Sequence, residues 1–479
     1  MGKYSVPESI RKFKPKGTMV KVINGSNYYV YEYKSIVDEN GIRKTKMGKL
    51  IGKIIEGEGF IPNNSKVGGS TISTLEYGQY KIVVDNTIEI YDLLLQVFCY
   101  DDAASIYCMA LINFINGFTP VTRYTDFYEQ SYLNLEFNEI KMDSTSLSNL
   151  IDALGRRQDK VHEFENKLIE NSSKEIAIDG HVIVNPLCNK YYKENDDQIN
   201  LLMAYDINSN TPVTSRIYRG ANLDEVSVKD LFIRNEFNNI LFIVDRGFYS
   251  KDNIEMFSSN GNKYIIPISL DLKQYKETVG DVRFDKEFVY VRNEIPTLIE
   301  YCCMQIEGKN VYVFRDKMQN IEERCDYLKY LEIGIEGLTK EIFDESKEYF
   351  GTIVLETNLN EDAKLIYKRY KDRQYIETFF SGFKNQLNFN TLNQSNYYEL
   401  QGLAFIMLIS GMIQSQMNAV VSKMKEMSVE DVLVKSRFIK MHRMNGKWGV
   451  QNVNAELREM FLALNSALTR NVDLIYGDD

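Results

Sequence analysis

The first sixty residues alternate between apolar and polar positions over short runs. Residues 28–33 and 49–54 are the clearest of these, and an Asn-Gly pair precedes each run. Alternation with a period of two is typical of half-buried strands, and Asn-Gly is a common turn. The pattern predicts a small β-rich module, which we place at residues 1–85.

Apolar residues then recur at spacings of three and four over residues 101–118 and 145–170. This is the period of an amphipathic helix, so we predict a helical region at residues 86–172. The region is a candidate for binding DNA. It contains no clear helix-turn-helix pattern, however, and a scaffolding role fits it equally well.

A third pattern begins near residue 174, where strand-like runs alternate with helical ones. The strand-like runs are residues 175–179, 200–205, 212–218, 239–245 and 263–268. The fourth run is almost entirely apolar, as is typical of a strand buried on both faces. This order predicts an α/β fold with one mixed sheet covered by helices.

Residues 270–350 interrupt that pattern. They contain further strand-like runs at 287–291 and 310–314, so we predict a β-rich insertion domain. Residues 351–397 return to a strand followed by a helix, and we expect them to complete the core that begins with residues 173–269.

We predict a C-terminal helical region at residues 398–479. Its most apolar stretch, residues 402–413, is too short to span a bilayer and is flanked by glutamines. The stretch therefore predicts a buried core helix, and we expect a protein of the cytoplasm with no membrane partner.

The net charge of −10 argues at first against a nucleic-acid partner. The charge is uneven, however, because residues 1–53 hold twelve Lys and Arg against four Asp and Glu, and residues 422–447 are also basic. Local basic patches determine phosphate contacts more than net charge does. On charge alone, solvated surface explains both stretches slightly better than DNA binding.

The cysteines and histidines give little support to a zinc site. The six cysteines include no Cys-x-x-Cys pair, and the chain has only three histidines. We predict free thiols in a reducing compartment.

Three carboxylates stand out from the pattern. Asp179 and Asp245 each follow an apolar run, and Glu377 lies in a helix predicted to begin at Asn360. Carboxylates at the ends of neighbouring strands converge at one edge of an α/β sheet. Two Asp and one Glu suit a hard cation such as Mg²⁺, and two such ions can cleave a phosphodiester. Taken singly, each Asp is more typical of a turn or a cap.

The helix around Glu377 strengthens this interpretation. At 100° per residue, Tyr370, Arg373, Glu377 and Lys384 fall within an arc of roughly 60°, beside an apolar stripe. A metal-binding carboxylate with Arg and Lys one or two turns away is what a phosphate-binding surface needs. The alternative is an ordinary amphipathic helix with charges paired at i,i+4.

The spacing of these four residues, Tyr370-x2-Arg373-x3-Glu377-x6-Lys384, resembles the Y-R-E-K signature of bacterial insertion-sequence transposases of the DDE class. The resemblance covers residues 145–415. It rests on the helix signature together with the contexts of the two aspartates.

Asp179, in Ile-Asp-Gly, resembles the first aspartate of that family, and Asp245, in Val-Asp-Arg-Gly-Phe, resembles the second. The long interval before Glu377 is similar to the β-rich insertion that this branch carries at the same place.

The resemblance implies a ribonuclease-H-like mixed sheet flanked by helices and a DNA transposase that works by cut-and-paste, with a hairpin intermediate. The expected partners are double-stranded DNA, both terminal inverted repeats and target, and a second copy of the chain. The expected location is the nucleoid in a bacterial cytoplasm. Two Mg²⁺ ions, which Mn²⁺ could replace, are the expected cofactors. Six residues receive roles: Asp179, Asp245 and Glu377 as catalytic metal ligands, and Tyr370, Arg373 and Lys384 as ligands of DNA phosphates.

One feature departs from the family. Known members of this branch stack a flipped base on a tryptophan of the insertion, whereas the single tryptophan here is Trp448. Tyr290 or Tyr312 could take that place, because any aromatic face can hold a base. His181 lies two residues after Asp179 and is either a structural histidine, which we favour, or a phosphate contact.

Two other functions stay open from the sequence. One is a metal-dependent nuclease of the same fold without strand transfer, and the other is a non-catalytic DNA-binding descendant. The complete set of three carboxylates argues against the second.

Overall fold

The structure is a computed structural model of the chain. It describes residues 6–23, 27–37, 43–56, 59–62, 74–185, 198–220, 225–268, 282–292, 294–386, 396–424, 427–444, 447–450 and 453–466. The chain divides into two compact units, Met1–Ser73 and Thr74–Asp479.

The first unit is an antiparallel sheet preceded by a short helix. Its elements are α1 Glu8–Arg11, β1 Thr18–Ile23, β2 Asn27–Val37, β3 Arg43–Ile55 and β4 Gly59–Pro62, and the strands pair in chain order. Ile10, Val30 and Ile54 form its core. The strands predicted at residues 28–33 and 49–54 are confirmed, whereas the two Asn-Gly turns lie outside the described residues.

Helices precede the main sheet of the second unit. After the short strand β5 Thr74–Glu76 come α2 Gly78–Leu95, α3 Tyr100–Asn116, α4 Val121–Gln130, α5 Leu133–Glu136, α6 Ser144–Arg156 and α7 Gln158–Glu170. The helix predicted at 101–118 is confirmed, and the one predicted at 145–170 is divided in two. The division falls at Arg157, whose φ of −92° and ψ of 62° leave the helical region. Helix α2 crosses the boundary that we expected at residue 85.

One mixed sheet lies at the centre of the second unit. Its described strands are β6 Glu175–Val184, β7 Gln198–Asp206, β8 Thr211–Arg219, β9 Leu241–Val244, β10 Lys263–Pro267, β11 Lys286–Arg292, β12 Ile295–Ile306, β13 Lys309–Asp316 and β14 Thr352–Thr357. They lie in the order β11-β12-β13-β14-β10-β9-β6-β7-β8. The neighbours β6–β9 and β9–β10 are parallel, and the other neighbours are antiparallel. The mixed α/β fold predicted from the sequence is confirmed.

The segment at 270–350 extends this sheet. Strand β13 pairs with β14, and β12 and β11 follow outward. The segment also contains α10 Lys317–Ile333 and α11 Lys340–Ser346. The strands predicted there are therefore present, and they share one sheet with the rest of the core. Residues 269–281 and 293 lie outside the described residues.

The C-terminal part of the chain contains helices and a hairpin. After α8 Glu225–Arg234 and α9 Lys251–Ser258 within the core, the further described helices are α12 Ala363–Asp372, α13 Gln374–Gln386, α14 Tyr397–Val421, α15 Val429–Ser436 and α16 Ala455–Ala463. The hairpin of β15 Lys440–Met444 and β16 Lys447–Val450 pairs with β5 through β15. A purely helical C-terminal region is therefore wrong, because these residues complete a small sheet with the start of the second unit.

Helix α14 is the core helix predicted at residues 402–413. By length and composition it could cross a membrane, but 78% of its most apolar window is buried inside the protein. It packs against α2, α3, α6 and β8. A Cβ added to Gly402 would lie 1.9 Å from the carbonyl oxygen of Ile151 on α6. The glycine is therefore what allows the two helices to approach so closely.

The prediction of free thiols is confirmed for the described cysteines: Cys99, Cys108, Cys302, Cys303 and Cys325. Cys188 lies outside the described residues.

Candidate active site

The parallel pairing of β6 with β9 brings Asp179 and Asp245 side by side. Ile178 of β6 pairs with Val244 of β9, and each aspartate is the next residue along its chain. Strand β9 ends there, whereas β6 continues. The expectation that Asp179 ends a strand is wrong, because residues 180–184 go on pairing with β7.

Backbone N–H groups hold both aspartates. Asp179 accepts a hydrogen bond of 2.8 Å from Gly180 through Oδ1, which leaves Oδ2 for other partners. Asp245 Oδ1 accepts one of 2.8 Å from Arg246 and thereby caps a short 3₁₀ turn. Asp245 therefore is a cap residue, as its context alone indicates, and is also placed beside Asp179.

A buried carboxylate anchors the loop that follows Asp245. The hydroxyl of Tyr249 donates to Glu356 on β14 at 3.1 Å, and that of Tyr264 on β10 donates to it at 2.7 Å. Lys309 of β13 also pairs with Glu356 at 2.7 Å. Sequence reasoning missed Glu356 and Tyr249, because their meeting depends on β10 pairing with β14, which no local pattern encodes.

Two helices, α12 and α13, replace the single helix predicted from Asn360. Helix α12 begins at Ala363, where Asp362 caps it by accepting a hydrogen bond from the N–H of Lys364. The predicted start is wrong because Asp362 is the cap residue and does not lie in the first turn.

Arg373 joins α12 to α13. Its N–H donates to the carbonyl of Tyr370 at 3.2 Å, and its own carbonyl accepts from the N–H of Ile376 at 3.1 Å. Both bonds join residues three apart, which is the tighter spacing of a 3₁₀ turn. The tighter turn still allows the side chains of Arg373 and Glu377 to form an ion pair, as the predicted helical arc requires.

The guanidinium of Arg373 lies among the three carboxylates. Its Nη2 is 2.5 Å from Oε1 of Glu377 and 4.0 Å from Oδ1 of Asp245, and its Nη1 is 3.6 Å from Oδ2 of Asp179. The Arg373 side chain is 12% exposed, against 50% for Asp245 and 49% for Glu377. The three predicted catalytic residues thus surround one position that holds positive charge.

The electrostatics agree with a cation site. Burial raises the pKa of Asp179, and the charges of Asp245 and Glu377 raise it further. The N–H of Gly180 and the charge of Arg373 oppose this rise in pKa. Carboxylates clustered in this way need a positive partner to stay ionised.

Tyr370 and Lys384 lie differently with respect to the cluster. The Arg373 guanidinium is 5.8 Å from the centre of the Tyr370 ring, within the range of a cation–π contact. Burial raises the pKa of Tyr370, so its hydroxyl keeps its proton at neutral pH. Lys384 is exposed and lies two helical turns beyond Glu377. The structure therefore places Tyr370 beside the Arg373 guanidinium and Lys384 farther along the helix.

His181 links β6 to α13. Its ring stacks on that of Phe380, with centroids 5.5 Å apart and an interplanar angle of 19°. Burial lowers the pKa of His181, and the charge of Lys384 lowers it further, so the imidazole is neutral at pH 7. The stack packs the ring against α13, but the buried Nε2 has no hydrogen-bond partner among the described residues, so the satisfied structural histidine expected from the sequence is met only in part.

The two tyrosines predicted to stack on a base have different surroundings. Tyr312 is 3% exposed and its ring stacks on Phe314, so a base could reach it only by displacing core packing. Tyr290 packs edge-on against Tyr367, with centroids 5.3 Å apart, and keeps part of its surface exposed. Tyr290 is the better candidate of the two.

The chemistry of the cluster fits a divalent ion. Asp179, Asp245 and Glu377 offer only oxygen ligands, which Mg²⁺ and Mn²⁺ prefer. In the described part of the chain, no group of His, Cys, Asp and Glu side chains stands ready to hold a metal ion. Arg373 lies between the three carboxylates, so its side chain must move for an ion to bind there.

Residues 171–410 match the sequence model of a family described as Transposase DDE domain. All six predicted site residues fall within this range. No curated protein matches the chain. Among solved structures, the chain is similar to the piggyBac transposase in a cryo-EM structure of its synaptic complex with hairpin DNA, at 11% identity and a TM-score of 0.37. The similarity covers 75% of this chain and 78% of that one.

Proposed function

The chain belongs to the transposase DDE domain family, and we propose that it moves an insertion sequence by cut-and-paste, as a member of the branch with the Y-R-E-K signature. The observation that carries the proposal is the convergence of Asp179, Asp245 and Glu377 on one guanidinium. We assign these three residues to two Mg²⁺ ions, or Mn²⁺ in their place. When bound, such ions supply an activated attacking oxygen and neutralise charge on the leaving oxygen.

The residues of the chain prepare this site before DNA arrives. Asp179 uses one oxygen for the Gly180 N–H and presents the other to the cluster. Asp245 is fixed by the turn that it caps, and Glu377 lies in the first turn of α13, where its carboxylate pairs with Arg373. Ligands held by backbone bonds lose little freedom when they bind, which favours a precise geometry.

Tyr370, Arg373 and Lys384 are the proposed ligands of DNA phosphates. An arginine can bind a phosphate with two parallel hydrogen bonds, whereas a lysine acts as a point charge. The Tyr370 hydroxyl keeps its proton and can donate a hydrogen bond to a phosphate oxygen. Because these groups lie on α12 and α13 with Glu377, they can hold the DNA end beside the carboxylates.

We further infer a ribonuclease-H-like core formed by residues 173–269 and 351–397. The strand order supports it, because antiparallel β6, β7 and β8 lie beside the parallel β9 and β10, and α13 packs on β6. The proposed partners are double-stranded DNA, at the terminal inverted repeats and the target, and a second copy of the chain. We propose that residues 86–172 help to bind the ends, and that the protein acts at the nucleoid in a bacterial cytoplasm.

A cleavage assay with Glu377→Gln tests the assignment. The amide keeps the size of the side chain and removes its charge. With labelled duplexes that carry the inverted repeats and with Mg²⁺, we expect cleavage to fall at least about 10³-fold while end binding persists. Glu361→Gln is the matched control, because Glu361 pairs with Arg369 outside the cluster. Cleavage by Glu377→Gln at the rate of this control would show that the assignment is wrong.

A nuclease without strand transfer is the second candidate, because the same three carboxylates would serve it. A target plasmid added to the assay separates the two functions. A transposase gives joined molecules of end and plasmid, whereas a nuclease gives only cut ends.

A further inference from the structure

We propose that Arg373 fills the cation position of the active site in the DNA-free protein and leaves it when a DNA phosphate binds. Metal ions would then bind tightly only together with DNA. The inference rests on the proposed function, since it takes Asp179, Asp245 and Glu377 as the metal ligands.

The first support is the geometry of the guanidinium. Its nitrogens lie within 4.0 Å of all three carboxylates, and the bond to Glu377 is 2.5 Å. In the described part of the chain, no other basic side chain forms an ion pair with any of the three. With 12% of its side chain exposed, Arg373 is weakly screened by water. A divalent ion placed beside it would be repelled, so the two cations compete for one position.

The second support is that Arg373 has an alternative partner in DNA. A guanidinium binds a phosphate as well as it binds a carboxylate, through two parallel hydrogen bonds. Arg373 lies at the junction of α12 and α13, between Tyr370 and Glu377. Rotation of its side chain toward a bound phosphate leaves the carboxylates to metal ions.

The exchange couples the two binding events. DNA that removes Arg373 from the carboxylates raises their affinity for metal, and metal that occupies the carboxylates frees Arg373 for DNA. By thermodynamic linkage the two factors are equal. Without DNA, the protein would therefore bind little metal. This limits metal-dependent cleavage of DNA that the protein meets by chance.

Arg369 provides a matched control one turn earlier on α12. It pairs with Glu175 at 3.0 Å and with Glu361, neither of which belongs to the cluster. Removal of Arg369 deletes the same charge one turn before the junction, so only the loss of Arg373 is expected to affect the metal site.

The experiment measures Mn²⁺ binding to the full chain by electron paramagnetic resonance of free Mn²⁺. Each protein is titrated alone and with a saturating pre-cut end duplex that lacks the 3′-hydroxyl and cannot react. For the wild type we expect DNA to tighten Mn²⁺ binding about tenfold, a typical coupling. Arg373→Ala should bind Mn²⁺ about tenfold more tightly than the wild type without DNA, and DNA should change its affinity less than about twofold. Arg369→Ala should behave as the wild type.

Equal Mn²⁺ affinity of Arg373→Ala and the wild type without DNA would overturn the inference. Asp179→Asn distinguishes this result from failure of the proposed function. If Asp179→Asn weakens Mn²⁺ binding in the DNA complex, the metal site stands and only the role of Arg373 fails. If it has no effect, the metal assignment itself fails. Thermal melting checks the fold, and Mn²⁺ should raise the Tm of Arg373→Ala, or of Arg373→Gln if the alanine variant is unstable, more than that of the wild type.

Discussion

The imidazole of His181 stacks on the ring of Phe380, 5.5 Å away between centroids. His181 follows Asp179 by two residues, and Phe380 follows Glu377 by three. The contact therefore joins the strand that carries one proposed metal ligand to the helix that carries another. Metal ligands must be held within about 0.5 Å of the positions that catalysis requires. We therefore expect this ring contact to help fix the relative positions of the two proposed ligands.

Substitution of His181 separates packing from contact with DNA. His181→Phe retains a ring that can stack on Phe380, so we expect a cleavage rate close to that of the wild type. His181→Ala removes the stack, and we expect the rate to fall about fivefold, since such ring pairs contribute about 1 kcal/mol. Single-turnover cleavage at saturating DNA is the measurement. An equal loss in both variants would instead indicate that the imidazole nitrogens contact the phosphate.

Lys384 is predicted to contribute charge to DNA binding without affecting metal binding. Lys384→Ala should weaken binding of end DNA and of unrelated DNA by similar factors. The slope of log K against log salt concentration should become less steep by about one unit, because one fewer counterion is released. Fluorescence anisotropy between low and moderate salt measures this slope. Lys329→Ala, on α10, is the control, and an unchanged slope for Lys384→Ala would exclude a phosphate contact.

Gly402 is predicted to be required for the packing of α14 on α6. In Gly402→Ala the new methyl group would meet the carbonyl of Ile151 at 1.9 Å, so one helix must shift. We expect a loss of about 3 kcal/mol in the free energy of unfolding. Gly449→Ala, where an added Cβ has nothing within 4 Å, should change it by less than about 0.5 kcal/mol. Urea denaturation followed by circular dichroism compares the two, and equal stability would contradict the close helix contact.

Glu165 is a buried carboxyl group at the contact between α7 and β8. Its Oε1 accepts a hydrogen bond of 3.1 Å from the N–H of Ser215. Burial raises its pKa from 4.5 to about 7, although the charges of Arg216 and Arg234 act to lower it. The folded state thus binds a proton that the unfolded state releases between pH 4.5 and 7. The stability from this group is complete below pH 4.5 and is lost as the pH rises through 7.

Glu165→Gln is therefore predicted to become relatively more stable at alkaline pH. The amide can still accept the hydrogen bond from Ser215 and cannot ionise. Between pH 5.5 and 8.5 the wild type should lose about 2 kcal/mol relative to the variant. Burial is the main reason why the pKa of His162 is lowered to about 4. Protonation of His162 therefore lowers stability at acid pH, but this effect is the same in both proteins. If the free energy of unfolding changes with pH in the same way for both proteins, the raised pKa of Glu165 is contradicted.

Local patterns were sufficient to predict several elements of the candidate site. The apolar runs before Asp179 and Asp245 identified the two strands, and the four-residue spacing of Arg373 and Glu377 identified their contact. Both signals depend only on residues close in sequence. The pairing of Ile178 with Val244, which brings the aspartates together, depends on strand order and could not be obtained from either run alone.

Other features depend on tertiary contacts and were missed. The sequence pattern continues through Arg373, so the break between α12 and α13 leaves no local sign. Likewise, β6 continues past Asp179 because β7 pairs with it, although the apolar run ends there. The approach of Arg373 to Asp179 and Asp245 requires the helix to lie on the sheet, which helical spacing alone does not specify.

The most direct test of the central claim compares single and combined losses of the three carboxylates. Asp179→Asn, Asp245→Asn, Glu377→Gln and the triple variant are assayed for Mg²⁺-dependent cleavage of labelled inverted-repeat ends, with end binding measured in parallel. If the three residues form one metal site, each single variant should lose about as much activity as the triple variant, while all four still bind the ends. Substantial cleavage by any single variant, or losses that simply add up in the triple variant, would contradict the shared site.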